Sequence, residues 1–175
     1  LPAGLAVTDL CQAAGKIALA FNWLGADAGV VSAHKFGGPK GVGALILRRG
    51  VEIAPRTRGG GQEMGRRAGT EAVALIAGMG AAAEAAARDL ASGLWDEVAG
   101  LRDRFEAAIA ALAPGVVVAG QEASRLPNTS CLVAPGWKGE TQVMQMDLAG
   151  FAVSAGSACS SGKVRESRAL RAMGM

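Results

Sequence analysis

Tyrosine is missing from this chain, and aromatic residues together make up only 4% of it. Its core must therefore be built from Ala, Val, Leu and Ile, which suits close helix–sheet packing and weighs against a stacking platform for single-stranded nucleic acid. Charge is thin as well. The formal net charge is +3, and the basic residues are scattered through "RRG", "RTRGG", "GRRAG" and "KVRESRALR" rather than gathered in one block. A nucleic-acid partner is not expected from that pattern. Cysteine occurs three times, at Cys11, Cys131 and Cys159. An odd number without metal-type spacing argues against a disulfide framework or a metal centre, and for a reducing, cytoplasmic setting. No apolar run reaches membrane-spanning length, since the longest candidate, "LIAGMGAAAEAAA", is cut by Glu84. No basic stretch followed by an apolar one marks a signal peptide. The chain opens on Leu1 rather than methionine, which points to a fragment or a processed start.

The 175 residues are enough for one ordinary domain with a sizeable core. The first third reads as α/β. "LAVT" is a strand ending at Asp9, "AGVVSA" (Ala28 to Ala33) a second, and "VGALILR" (Val42 to Arg48) a third. Their apolar runs lack alternation, which predicts strands buried on both faces. A glycine-rich loop, "RTRGGGQEMGRRAGT", follows. From Thr70, a candidate N-cap, to about Leu112 the Ala-, Leu- and Glu-rich sequence predicts helix, stopped at Ala113-Pro114-Gly115. "VVVA" and "NTSCLVA" then read as strands, "GETQVMQMDLAG" as a helix and "FAVSAG" as a strand, with a last helix from near Ser167. The composition shift predicts a boundary near residue 80, separating an α/β part (1–80) from a smaller α+β part (81–175).

Candidate chemistry sits at the strand ends. Asp9 and Gln12 in "VTDLCQAAGK" lie just past a strand, where open α/β sheets place ligand contacts, although Asp9 also fits a cap for the following turn. The single histidine, His34, stands beside Lys35 at the next strand end. The pair reads either as surface polarity before a turn or as chemistry, because lysine alone forms a Schiff base with an aldehyde cofactor. The following "GGPKGVG" is a phosphate cradle or a tight turn, and it lacks the spacing of the nucleotide-binding glycine loop. Cys159, in "SAGSACSSGK" with Lys163 and Arg165 close behind, is placed as an accessible thiolate or as an incidental surface thiol. Cys11 and Cys131 lie in apolar contexts and read as packing residues.

Together, "VTDLCQAAGKI", "GADAGVVSAHKFGGPKGVGAL", "GGGQEMGRRAGTEAV", "RLPNTSCLV" and "AVSAGSACSSGKVRESRALRAMG" resemble the cysteine desulfurase family. These are pyridoxal 5'-phosphate (PLP) enzymes on the fold-type I scaffold of the class V aminotransferases. The resemblance implies part of the large, mainly parallel-sheet domain plus most of the small α+β domain. It implies that Lys35 holds the cofactor as a Schiff base and then moves the substrate proton. Asp9 pairs with the pyridinium nitrogen, keeping the ring an electron sink. Gln12 bonds the ring hydroxyl, Ser32 and His34 bind the phosphate, and Thr70 reaches the phosphate of the other subunit in a homodimer. Cys159 takes sulfur from L-cysteine as a persulfide, releasing alanine, and passes it to an acceptor or iron–sulfur scaffold protein with at most a transient cluster contact.

The family's chains are much longer. Its first phosphate loop, its ring-stacking residue, an asparagine contact and the arginine that grips the substrate carboxylate are not in this stretch. Two other readings stand beside the first. One is a related lyase or aminotransferase, such as a selenocysteine lyase, although an ordinary aminotransferase needs no thiol like Cys159. The other is a non-catalytic scaffold that dimerises or docks onto assembly partners.

Overall fold

The computed structural model describes residues 4–156 and 166–175. It divides into two compact units, Leu1–Gly100 with Leu126–Asn128, and Leu101–Arg125 with Thr129–Met175. The division falls between Gly100 and Leu101, whereas the composition shift placed it near residue 80. Residues 81–100 pack with the α/β unit.

In the first unit, strands β1 (Val7–Asp9), β2 (Ala28–Ser32) and β3 (Gly43–Leu47) form one sheet in the order β1-β2-β3. β1 runs parallel to β2, with Asp9 opposite Val30. β3 runs antiparallel to β2, so the sheet described is mixed rather than parallel throughout. Its reason is local: the turn from Ala33 to Val42 is too short for a crossover and returns the chain as a hairpin. Burial also departs from the expectation. Ala28 and Gly29 at the start of β2 are buried, while β1 and β3, each at an edge of this sheet, are largely exposed. At the other end Asp27, itself buried, clasps all three strands: its Oδ2 accepts the Ala6 N–H at 2.8 Å and its Oδ1 pairs with the Arg48 guanidinium.

The glycine-rich loop contains one short turn of helix, α1 (Gln62–Gly65), in which Glu63 and Met64 take left-handed backbone angles. The predicted long helix is two helices, α2 (Val73–Ala91) and α3 (Leu94–Leu112). Gly93, at φ +80°, and the Ser92 cap end the first and start the second. Thr70 caps neither of them; α2 begins after Ala72 with no side-chain cap.

α2 packs on the turn that follows β2. Two glycines allow that approach. A Cβ on Gly78 would lie 3.1 Å from Pro39 Cγ. One on Gly15, at φ +77°, would lie 2.9 Å from Ala86 Cβ and 3.1 Å from Phe36 Cβ. Gly15→Ala is therefore expected to destabilise this unit by about 2–4 kcal/mol, combining left-handed strain with overpacking. Urea unfolding measures it, and a loss below about 0.5 kcal/mol, the scale of an ordinary surface change, would show that the turn moves off α2 freely.

The second unit holds the C-terminal turns of α3, the antiparallel pair β4 (Val117–Val118) and β5 (Leu132–Val133), then α4 (Gly139–Leu148) and α5 (Arg168–Ala172). Ser167 caps α5, its Oγ accepting the Leu170 N–H at 3.2 Å. The expected strand "FAVSAG" is not formed: residues 151–156 are irregular.

Candidate functional site

Because β1 and β2 are parallel and adjacent, their C-terminal ends lie side by side, which brings Asp9 next to the segment Ser32–Lys35. Past Asp9 the chain turns sharply. The Asp9 Oδ1 accepts the Cys11 N–H at 2.8 Å, and the Leu10 N–H donates to the Val30 carbonyl at 2.9 Å. Both readings of Asp9 thus meet: it caps its own turn and remains exposed at the sheet's C-terminal edge. The Cys11 thiol and then its N–H hold the Asp9 carboxyl below the usual carboxylate range, so it is an anion at neutral pH. The same neighbour pushes the Cys11 thiol up, and burial adds to this, so Cys11 is poorly suited to act as a thiolate. Its sulfur sits 3.7 Å from the Val30 carbonyl, in keeping with a packing role.

β2 ends at Ser32 and runs into a single 3₁₀ turn, Ala33–Lys35. Ala33 is wholly buried and anchors that turn, and the Gly38 N–H donates back to the Ala33 carbonyl at 2.9 Å. A Cβ on Gly38 would fall 2.8 Å from Ala33 Cβ, so this glycine serves the tightness of the turn and the run "GGPKGVG" is a packing device. The turn leaves Ser32 Oγ and His34 Nδ1 2.8 Å apart at the surface. Lys35 is half-buried, and among the described residues no hydrogen-bond acceptor or carboxylate engages its Nζ. It lies close enough to Cys11 and Lys16 to act on both through its charge.

Asp9, Ser32, His34 and Lys35 are therefore gathered at one sheet edge, with Gln12 on the turn after β1. Thr70 is exposed on the loop before α2, and no hydrogen bond joins it to that edge among the described residues. Cys159, with Lys163 and Arg165, lies outside the described residues. Among the described residues no cluster of three or more His, Cys, Asp or Glu could hold a metal ion.

One residue of this edge has no part in the sequence reading: Lys16. It is 8% exposed, and its Nζ donates to the Gln12 carbonyl at 2.9 Å and to Gln12 Oε1 at 3.3 Å. The signal was its place four residues after Gln12 in "QAAGK", on the same side of a helical turn.

The donor set fits a PLP cofactor: an unengaged amine for its aldehyde, a carboxylate held ionised for its ring nitrogen, and a hydroxyl and an imidazole for its phosphate. Residues 3–173 match the family model for class-V aminotransferases. The chain is 48% identical to a cysteine desulfurase of Cereibacter sphaeroides over 166 residues, 95% of this chain and 42% of that protein. It is 43% identical to the cysteine desulfurase NifS of Azotobacter vinelandii, covering 95% of this chain and 41% of that one. The chain thus spans about two-fifths of the length of these relatives. In fold it is similar to a NifS-like protein from Rickettsia africae ESF-5, with a TM-score of 0.78 and 33% identity over 86% of this chain and 41% of the other. That likeness bears out the expectation of a partial fold-type I α/β scaffold. The chain belongs to the class-V aminotransferase family.

Proposed function

We propose that this chain supplies the lysine, the ring-facing carboxylate and the sulfur-accepting cysteine of a PLP-dependent cysteine desulfurase. The observation that carries this reading is the placing of Asp9, whose carboxyl is held ionised, and of Lys35, whose amine is unengaged among the described residues, past the C-terminal ends of two adjacent parallel strands. When bound, the cofactor supplies an electron sink for charge developing on the substrate. Asp9 would hold a negative charge for the ring nitrogen, and Ser32 and His34 would offer a hydroxyl and an imidazole to the phosphate. Lys35 takes and returns the substrate proton once its amine is free. Cys159 attacks the substrate sulfur: the Cβ–S bond of L-cysteine breaks, an S–S bond to Cys159 Sγ forms, and L-alanine leaves. Cysteine and the thiol of Cys159 together thus give alanine and a Cys159 persulfide, with no outside oxidant. The persulfide is then handed to an acceptor protein, and Thr70 belongs to the phosphate site of the second subunit in a homodimer.

Incubating the chain with PLP and L-cysteine tests this, with alanine measured in solution and persulfide located by mass spectrometry. Alanine in step with persulfide on Cys159 is expected, and Cys159→Ser should stop persulfide formation while leaving cofactor affinity unchanged. Persulfide formation that survives Cys159→Ser would remove that cysteine from the mechanism.

A further inference from the structure

We infer that Lys16 is a positioning residue that turns the amide of Gln12 outward as a hydrogen-bond donor. The inference deepens the cofactor reading above and rests on it for the identity of the acceptor.

Lys16 is unusual for its surroundings. Lysine is rarely buried without a carboxylate, yet Lys16 is 8% exposed and forms no ion pair among the described residues. Its stem is held there by the packing of its neighbour: Gly15 presses the turn against Ala86 of α2 and against Phe36, the residue after Lys35. The head then has one partner residue, Gln12, through the main-chain carbonyl at 2.9 Å and Oε1 at 3.3 Å.

An ammonium group has three donors and no acceptor. Only the oxygen of the Gln12 amide can face it, since the amide nitrogen would set donor against donor. Lys16 therefore decides which way the amide is turned, and the NH₂ group is left on the side away from the buried lysine. Gln12 is exposed, and an exposed glutamine without such a tether samples many rotamers. With it, the chain presents an oriented N–H donor beside Asp9 and Lys35. The matching ligand group is an anionic or neutral oxygen on a ring whose nitrogen meets Asp9 and whose aldehyde meets Lys35, which is the ring hydroxyl of PLP.

Two measurements test this. In the first, the side-chain amide signals of Gln12 are followed by NMR in the cofactor-free chain. They should be dispersed in the parent and collapse toward those of an unstructured glutamine in Lys16→Met. In the second, PLP affinity is measured for Lys16→Met, Gln12→Ala and the double variant. Each single change should weaken binding about 3–10-fold, the worth of one net hydrogen bond, and the double variant should be no weaker than Gln12→Ala. Gln12→Glu keeps an oxygen toward Lys16 but offers no outward donor. It should lose the same affinity without losing stability, and it decides the matter if Lys16→Met does not fold. Unchanged Gln12 signals in Lys16→Met, multiplying losses in the double variant, or full affinity in Gln12→Glu would each overturn the proposal. A Gln12 amide ordered by Lys16 in a chain that binds no PLP would uphold the positioning and overturn the cofactor reading instead.

Discussion

Lys35→Ala is expected to abolish the yellow absorbance band that PLP develops on this chain, and Lys35→Arg is expected to abolish it equally. The chain has five lysines. Lys16 is buried with its Nζ engaged by Gln12, Lys40 and Lys138 are exposed, and Lys163 lies outside the described residues. Lys35 is half-buried at the C-terminal ends of two parallel strands, with no partner holding its amine among the described residues. A Schiff base needs an amine that can lose its proton. The arginine variant separates this from charge alone, because a guanidinium keeps the positive charge but cannot give up a proton in a protein. The absorbance spectrum on adding PLP is the readout. A band of unchanged intensity in both variants would place the reactive lysine elsewhere.

Arg125→Met is expected to destabilise the second unit by about 2–3 kcal/mol, less than the full penalty for a deeply buried pair because the arginine keeps some solvent. Glu106 of α3 is 3% exposed, and both its carboxylate oxygens accept from Arg125, at 2.7 and 2.8 Å. This two-pronged bond is the main cause that lowers the Glu106 pKa from 4.5 to about 2. Arg125 and Glu106 both belong to the second unit, so the pair fastens Arg125 to α3 within it. Removing the arginine takes away the main partner of a buried carboxylate, leaving it the Ser130 hydroxyl and the charge of Arg102. Removing both partners, in Glu106→Leu/Arg125→Met, should recover most of the loss. The sign with pH follows from the depressed pKa. The pair's contribution is fully present above pH 4.5 and is lost as pH falls toward about 2. Urea midpoints across that range measure it. A parent and an Arg125→Met variant that differ as much at pH 2 as at pH 7 would show that the arginine acts through packing rather than charge.

The parts of the molecule that sequence revealed are those where one local rule decides. β2 and its polar ending at Ser32 to Lys35 follow from an apolar run broken by a histidine, a lysine and glycines. The Ser167 cap follows from an ordinary start signal. What was not legible depends on partners distant in sequence. The antiparallel return of β3 is set by a turn whose closure rests on Gly38 meeting the buried Ala33. The break at Gly93 was hidden because alanine-rich sequence on both sides keeps helical spacing through it. In the site, Asp9 and Lys35 could each be named from the sequence, but their placing at neighbouring strand ends depends on the parallel register of β1 with β2. Lys16 is not legible in the sequence, because a lysine in a turn reads as solvated. Only the approach of Gly15 to α2 shows that it is buried.

The central claim is that Lys35 is the residue that takes the cofactor aldehyde, and its most direct test is to trap that bond. The chain is incubated with PLP, reduced with borohydride, digested and mapped by mass spectrometry. A pyridoxyl group on Lys35 alone is the predicted result. The same group on another lysine, or spread over the exposed ones in proportion to their access, would contradict it.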